Sequence, residues 1–130
     1  MISEDFVSYE IAQLLKEKGF DELCYCTYYK GKFRINTYNI RNSERNFDTA
    51  TAPTHQRVLK WLREKYGIAV DVFIILDESK DIPTTYWTYF ITHFEEHRLH
   101  VDEAAWDFRG LIYEDATEHA IKYCLTDIIE

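Results

Sequence analysis

Only four glycines and two prolines punctuate the 130 residues of this chain, so sharp turns have few places to form and the fold must come from regular elements joined by polar connections. That scarcity excludes a linker or low-complexity protein. It also excludes a glycine-rich phosphate cradle, because Gly19, Gly31, Gly67 and Gly110 stand far apart, and no phosphate-loop, dinucleotide-binding or nucleophile-elbow pattern is found. A hydrophobic share of 46%, with 16% aromatic, supplies a packed core, and the length fits a single domain over 1–130. The longest apolar run is the five residues Val72–Leu76, far short of a membrane span. Glu4, Asp5 and Glu10 stand where a secretory leader needs basic and apolar residues, which predicts a cytoplasmic protein with no membrane partner.

The glycines mark where elements stop. Ser8 is placed to cap a helix with apolar positions Ile11, Leu14 and Leu15, and Gly19 ends it. Leu23 to Tyr29 reads as a strand, Lys30-Gly31 as a turn, and Lys32 to Ile40 as the returning strand, with Phe33 and Ile35 on one face and Lys32 and Arg34 on a wet one. Arg41 to Thr51 reads as a loop. Thr54, after Pro53, caps a second helix with stripe Val58, Leu59, Leu62 and Tyr66, Trp61 at its edge, and Gly67 closes it. A second hairpin follows, Ile68 to Leu76 and Thr84 to His93. Glu95 to Gly110 has no clean period and reads as an irregular connection with a short strand around Trp106 to Leu111. A final amphipathic helix runs from Glu114 to about Ile129. The expectation is an α+β fold, one antiparallel sheet of about four strands from two hairpins, with helices packed mainly on one face. Leu14–Phe20 echoes Trp61–Ile68, each followed by two strands, an echo that duplication and shared helix-end chemistry explain equally well.

Three segments carry a resemblance: Ser8-Tyr9-Glu10-Ile11-Ala12 running into Leu15–Phe20, Ala52-Pro53-Thr54 running into Val58–Lys65, and Tyr113-Glu114-Asp115-Ala116 running into Ala120-Ile121-Lys122. Together they resemble small uncharacterised proteins of bacteriophages and mobile elements from gut anaerobic bacteria. The resemblance implies a genomic setting, an accessory protein made in an infected or lysogenic bacterium. It brings no reaction and no functional residues with it.

Fifteen basic against 23 acidic side chains leave a net charge of −8, which disfavours general affinity for nucleic acid or anionic lipid. The distribution is uneven. Lys30 to Lys65 holds nine Lys or Arg against Glu44, Asp48 and Glu64, whereas Phe94 to Glu130 holds ten carboxylates against Arg98, Arg109 and Lys122. Either the two stretches neutralise each other at a surface, or a basic patch meets an acidic partner or a second copy.

One stretch matches a chemical motif literally. His93-Phe94-Glu95-Glu96-His97 has the H-x-x-E-H spacing that, on a helix, puts two imidazoles and a carboxylate around zinc. His93, Glu96 and His97 are thus candidate ligands, but the strand pattern before His93 has a period of two and spoils that geometry. Cys24 and Cys26 share a face of one strand, a poor disulfide geometry, and with Cys124 they read as buried reduced thiols. Aromatic and basic residues interleave along the first hairpin and recur later, which nominates Tyr28, Tyr29, Lys32, Arg34, Lys60, Trp61, Trp87 and Tyr89 as an interaction surface. The reading is a non-catalytic protein without a cofactor that binds an unidentified protein partner or itself as a homo-oligomer. The alternatives are a single-stranded nucleic-acid binder using the basic aromatic hairpin and, last, a zinc-dependent hydrolase.

Overall fold

The Ser8 side chain accepts a hydrogen bond from the Ile11 amide at 3.3 Å and starts helix α1, Tyr9–Glu17, as its spacing predicts. Ile11, Ala12 and Leu15 are buried along the expected stripe, and Gly19, at a φ of +86°, turns the chain out of the helix. The computed structural model describes residues 5–95, 98–102 and 108–130. These gather into two compact units, Met1–Val58 with Cys124–Glu130 and Leu59–Tyr123.

In the first unit β1, Cys24–Tyr29, pairs antiparallel with β2, Lys32–Ile40. The turn between them has Lys30 at a φ of +50° and Gly31 at +79°, the double positive φ of a tight hairpin turn whose twist matches its strands. Pairing is regular from Tyr29↔Lys32 to Cys26↔Ile35 and resumes at Cys24↔Ile40, so residues 36–39 bulge outward opposite Tyr25. The Asn36 carboxamide patches that gap by donating to the Tyr25 carbonyl and to Thr27 Oγ1, each at 3.0 Å. Contrary to the expected one wet face, β2 is exposed on both faces, with Ile35 at 78%. It is an edge strand in the sheet order β2-β1-β3.

The loop expected over Arg41 to Thr51 contains a 3-10 turn, Asn42–Glu44, and a third strand, β3, Thr49–Thr51, paired with β1. Three residues are too few to show a period in sequence. Side chains from elsewhere hold the strand in place: buried Asn42 accepts from the Thr51 amide at 2.9 Å and donates to the Phe20 carbonyl at 2.7 Å. Lys16 Nζ donates to the carbonyls of Asn46 and Thr49. The core of this unit contains Val7, Ile11, Leu15, Phe20, Cys26, Ala50 and, from the chain's end, Leu125 and Ile129. The three cysteines are buried and unbridged, as expected, and burial pushes the Cys24 and Cys26 thiols up.

Helix α2, His55–Tyr66, begins in the first unit, capped by Thr54, whose hydroxyl accepts from the Arg57 amide at 3.3 Å. In the second unit β4, Ile68–Asp77, pairs without interruption to β5, Thr84–Glu95, from Ile68↔His93 to Asp77↔Thr84. A further strand, β6, Arg98–Asp102, adds to β5 inside the segment expected to be irregular. It escaped sequence reading because its alternation, Leu99 and Val101 between polar residues, spans only five residues in a stretch dense in charge. Of the short strand expected near Trp106, Trp106 itself lies outside the described residues, and Gly110 forms an isolated bridge with Trp87. Helix α3, Tyr113–Tyr123, packs on β5 and β4 through buried Ala116, Ala120 and Ile121. The helix expected to reach Ile129 instead continues as a π-helical turn, Cys124–Ile128.

The fold is α+β, with three helices, but the expected sheet of about four strands is two three-stranded antiparallel sheets. The echo between Leu14–Phe20 and Trp61–Ile68 does not extend to topology. The third strand joins the first strand of the hairpin in one sheet (β2-β1-β3) and the second in the other (β4-β5-β6).

Replacing Asn42 by Ala strands the Thr51 amide and the Phe20 carbonyl. Urea unfolding of Asn42→Ala is expected to show a loss of about 2–4 kcal/mol at unchanged denaturant slope. Asn42→Asp, which buries a carboxylate against the Phe20 carbonyl, is expected to lose at least as much.

Candidate interaction surfaces and a polar cleft

The eight residues nominated as an interaction surface are divided between the two units. Tyr28, Tyr29, Lys32 and Arg34 belong to the first, and Lys60, Trp61, Trp87 and Tyr89 to the second. Tyr89 is 0% exposed and Trp61 7%, so both are core residues and neither offers a ring to a partner. Their aromatic character served packing: Trp61 meets Tyr66 edge-on at 5.2 Å, and Tyr89 lies under α3. Half-buried Trp87 meets Tyr113 edge-on at 5.6 Å, and Lys60 stands 3.9 Å from Glu64 on the same helix. Tyr28 turns toward α1, its hydroxyl donating to the Val7 carbonyl at 2.7 Å and its ring 5.4 Å from that of Tyr9.

Tyr29 and Arg34 lead to a site. Opposed residues of paired strands share a face, so Thr27 with Arg34 and Tyr29 with Lys32 and Thr49 lie on the side of the first sheet away from Tyr28. There a polar cleft of about 360 Å³ opens. Thr27, Ile40 and Thr49 are its buried residues; Arg34, Asn36 and Tyr38 come from β2, and Glu44, Arg45 and Asn46 from the connection to β3. The Arg34 guanidinium sits over the Tyr29 ring, 4.6 Å from its centroid, and Arg45 donates to the Tyr38 hydroxyl at 3.0 Å. Among the described residues neither guanidinium has a carboxylate partner. Sequence reading missed Asn36, Arg45 and Asn46, because only the bulge and the unforeseen third strand bring them together.

A second surface lies in the other unit. The β4–β5–β6 register puts Trp87, Tyr89 and Ile91 under α3 and leaves Phe73, Ile75, Phe90, Phe94, Leu99 and Val101 on the opposite side. Phe73 and Phe90 are half-buried, their rings 5.5 Å apart, while Phe94, Leu99 and Val101 are 59%, 74% and 48% exposed. One signal did point here: the run Val72–Leu76 leaves no polar phase, so both sides of that strand were bound to be apolar.

Of the zinc motif, only His93 among the three candidate ligands lies within the described residues. His93 belongs to β5, directly opposite His100 on β6, with the two rings stacked at 5.5 Å, while Glu96 and His97 lie outside the described residues. His93 itself stands in a strand and not on the helix that the motif's spacing calls for. Among the described residues no group of three or more His, Cys, Asp or Glu side chains is disposed around a common metal position. Nor, among them, is any helix long and apolar enough to cross a membrane.

No family model, no curated protein and no solved structure matches this chain. Its surfaces are therefore read from their own side chains.

Beneath α3 the Tyr89 hydroxyl and His119 Nδ1 are 2.6 Å apart, and Phe108 stacks on the imidazole at 4.2 Å. Partial burial, and after it the Lys122 ammonium, holds His119 below its ordinary pKa of 6.5. A neutral ring with its proton on Nε2 can accept from Tyr89, whereas a protonated one cannot. With the folded pKa lowered, the unfolded chain takes up the proton first, so this contribution to stability is present above pH 6.5 and is lost as pH falls through the lower folded value. An NMR titration is expected to find His119 below 6.5. The stability difference between the wild type and His119→Gln is expected to narrow on acidification through that window.

Proposed function

We propose that this chain is a non-catalytic binding protein that works by protein–protein contact through the outer face of its second sheet. The observation that carries the reading is the exposure of Phe94, Leu99 and Val101 side by side, with Phe94 directly opposite Leu99. A cluster of exposed apolar side chains on one sheet face is costly in water and is the usual mark of an interaction site. A second copy of the chain is the first occupant to test. On a molecule of net charge −8 two copies repel, and Asp71 opposite Phe90 adds a carboxylate to this face, but Thr92, Phe94, Leu99 and Val101 toward β6 carry no charge and allow close approach there. An accessory role in a phage or mobile element is the setting we attach to this reading, on the strength of the three resembling segments. The single-stranded nucleic-acid alternative loses Trp61 and Tyr89 as stacking rings and keeps only the first hairpin.

The test is sedimentation velocity and native mass spectrometry on the purified chain, together with a photo-crosslinking side chain placed at Leu99 or, as a control, at exposed Thr37. The expected result is a multimer in the wild type, its loss in a Phe94→Glu, Leu99→Glu variant that folds normally, and crosslinks from position 99 alone. If position 99 crosslinks only a foreign protein from a bacterial lysate, and the double variant abolishes that product, contact through this face stands with a different partner. A monomer that crosslinks nothing at position 99 overturns it.

A further inference from the structure

The polar cleft of the first unit has the size and the donor set of a small-molecule site. Its volume of about 360 Å³ lies at the small end of ligand pockets, enough for one compact ligand and too little for a dinucleotide. Two guanidiniums line it. Each is already oriented, Arg34 by the Tyr29 ring beneath it and Arg45 by the Tyr38 hydroxyl, so little side-chain freedom is left to lose on binding. A planar guanidinium still offers several N–H groups when one is engaged, in a fork that fits the oxygens of a phosphate. Glu44 also lines the cleft, its carboxylate accepting from the Arg41 amide, so two guanidiniums against one carboxylate leave the cleft net positive on a chain of net charge −8.

The remaining groups recognise something other than charge. Asn36 spends its amino group on Tyr25 and Thr27, which leaves its carbonyl oxygen as an open acceptor. Asn46 spends its oxygen on the Asp48 amide, which leaves its amino group as an open donor. Tyr38 presents a largely exposed ring. An acceptor, a donor and an aromatic face are what the edge and the plane of a nucleobase require. A simple inorganic anion would use the arginines and leave the two carboxamides and the Tyr38 ring idle.

We infer that the cleft binds a single nucleotide unit, its phosphate held by Arg34 and Arg45 and its base read by Asn36, Asn46 and the Tyr38 ring. The unit comes either as a free nucleoside monophosphate or as one residue of a single strand. The site is independent of the apolar face of the second sheet, so failure of one leaves the other standing.

The test is calorimetric titration of the intact chain with each of four ribonucleoside monophosphates, with inorganic phosphate, and with a single-stranded pentanucleotide, at low and high salt. The expected result is one-to-one binding of at least one monophosphate, about tenfold or more tighter than phosphate, with Arg34→Gln and Arg45→Gln each weakening it about tenfold or more. Asn36→Leu is expected to narrow the preference for that base over the others without reducing phosphate binding. Lys60→Gln, in the other unit, is expected to change nothing. A pentanucleotide that binds tighter than any monomer and weakens steeply with salt assigns the unit to a single strand; the reverse order assigns it to the free nucleotide. Phosphate binding as tightly as every monophosphate, or no binding at all, overturns the inference. So does binding that survives the Arg34→Gln, Arg45→Gln double variant.

Discussion

A three-stranded sheet has two faces, and each sheet here has one face packed against a helix of its own unit. Tyr28 spends its hydroxyl and its ring on the α1 side of the first sheet, and Tyr89 spends its own beneath α3 in the second. The face left over then decides what each unit can do. In the first it holds hydroxyls, carboxamides and guanidiniums around a cleft, and in the second it holds phenylalanine and aliphatic side chains. Water satisfies the former and not the latter, which is why one face has the chemistry of a small-molecule site and the other that of a macromolecular contact.

Much of the fold was legible in sequence because local signals settle it. The caps Ser8 and Thr54, the helix-ending Gly19 and Gly67, and the Lys30-Gly31 turn each act within a few residues, and the hairpins and helices follow from them. What was hidden depends on distant partners. Strand β3 exists through Asn42, Lys16 and its pairing with β1, and is too short to carry a hydrophobic period; β6 exists through its ladder with β5, and its alternation of Leu99 and Val101 spans only five residues. With both edges unseen, two sheets read as one. The candidate sites suffered in the same way. Arg34 and Tyr29 were visible as a basic aromatic pair, but Tyr89 and Trp61 were misplaced because an aromatic residue reads alike whether it packs inside or faces a partner.

The first unit also ties its stability to its site. Asn42 anchors the connection from β2 to β3, and that same connection supplies Glu44, Arg45 and Asn46 to the cleft. One buried carboxamide therefore holds a strand and one side of the cleft with the same two hydrogen bonds. Glu44 reinforces the turn by accepting from the Arg41 amide at 3.3 Å, which leaves the neighbouring Arg45 side chain directed to Tyr38 rather than to that carboxylate.

The bulge opposite Tyr25 has a consequence for how the protein behaves when crowded. An open sheet edge invites any other extended chain to zip onto it, and the long exposed strand β2 offers such an edge. The invitation is cut short. Only Lys32 to Ile35 is regular before residues 36–39 leave the ladder, and Lys32 and Arg34 make two of the four paired residues cations. A neighbouring strand would find a brief, positively charged stub with a kink beyond it, too short to template a growing stack. The irregularity that shapes the cleft on one side thus also guards the rim of the sheet against runaway fibre growth.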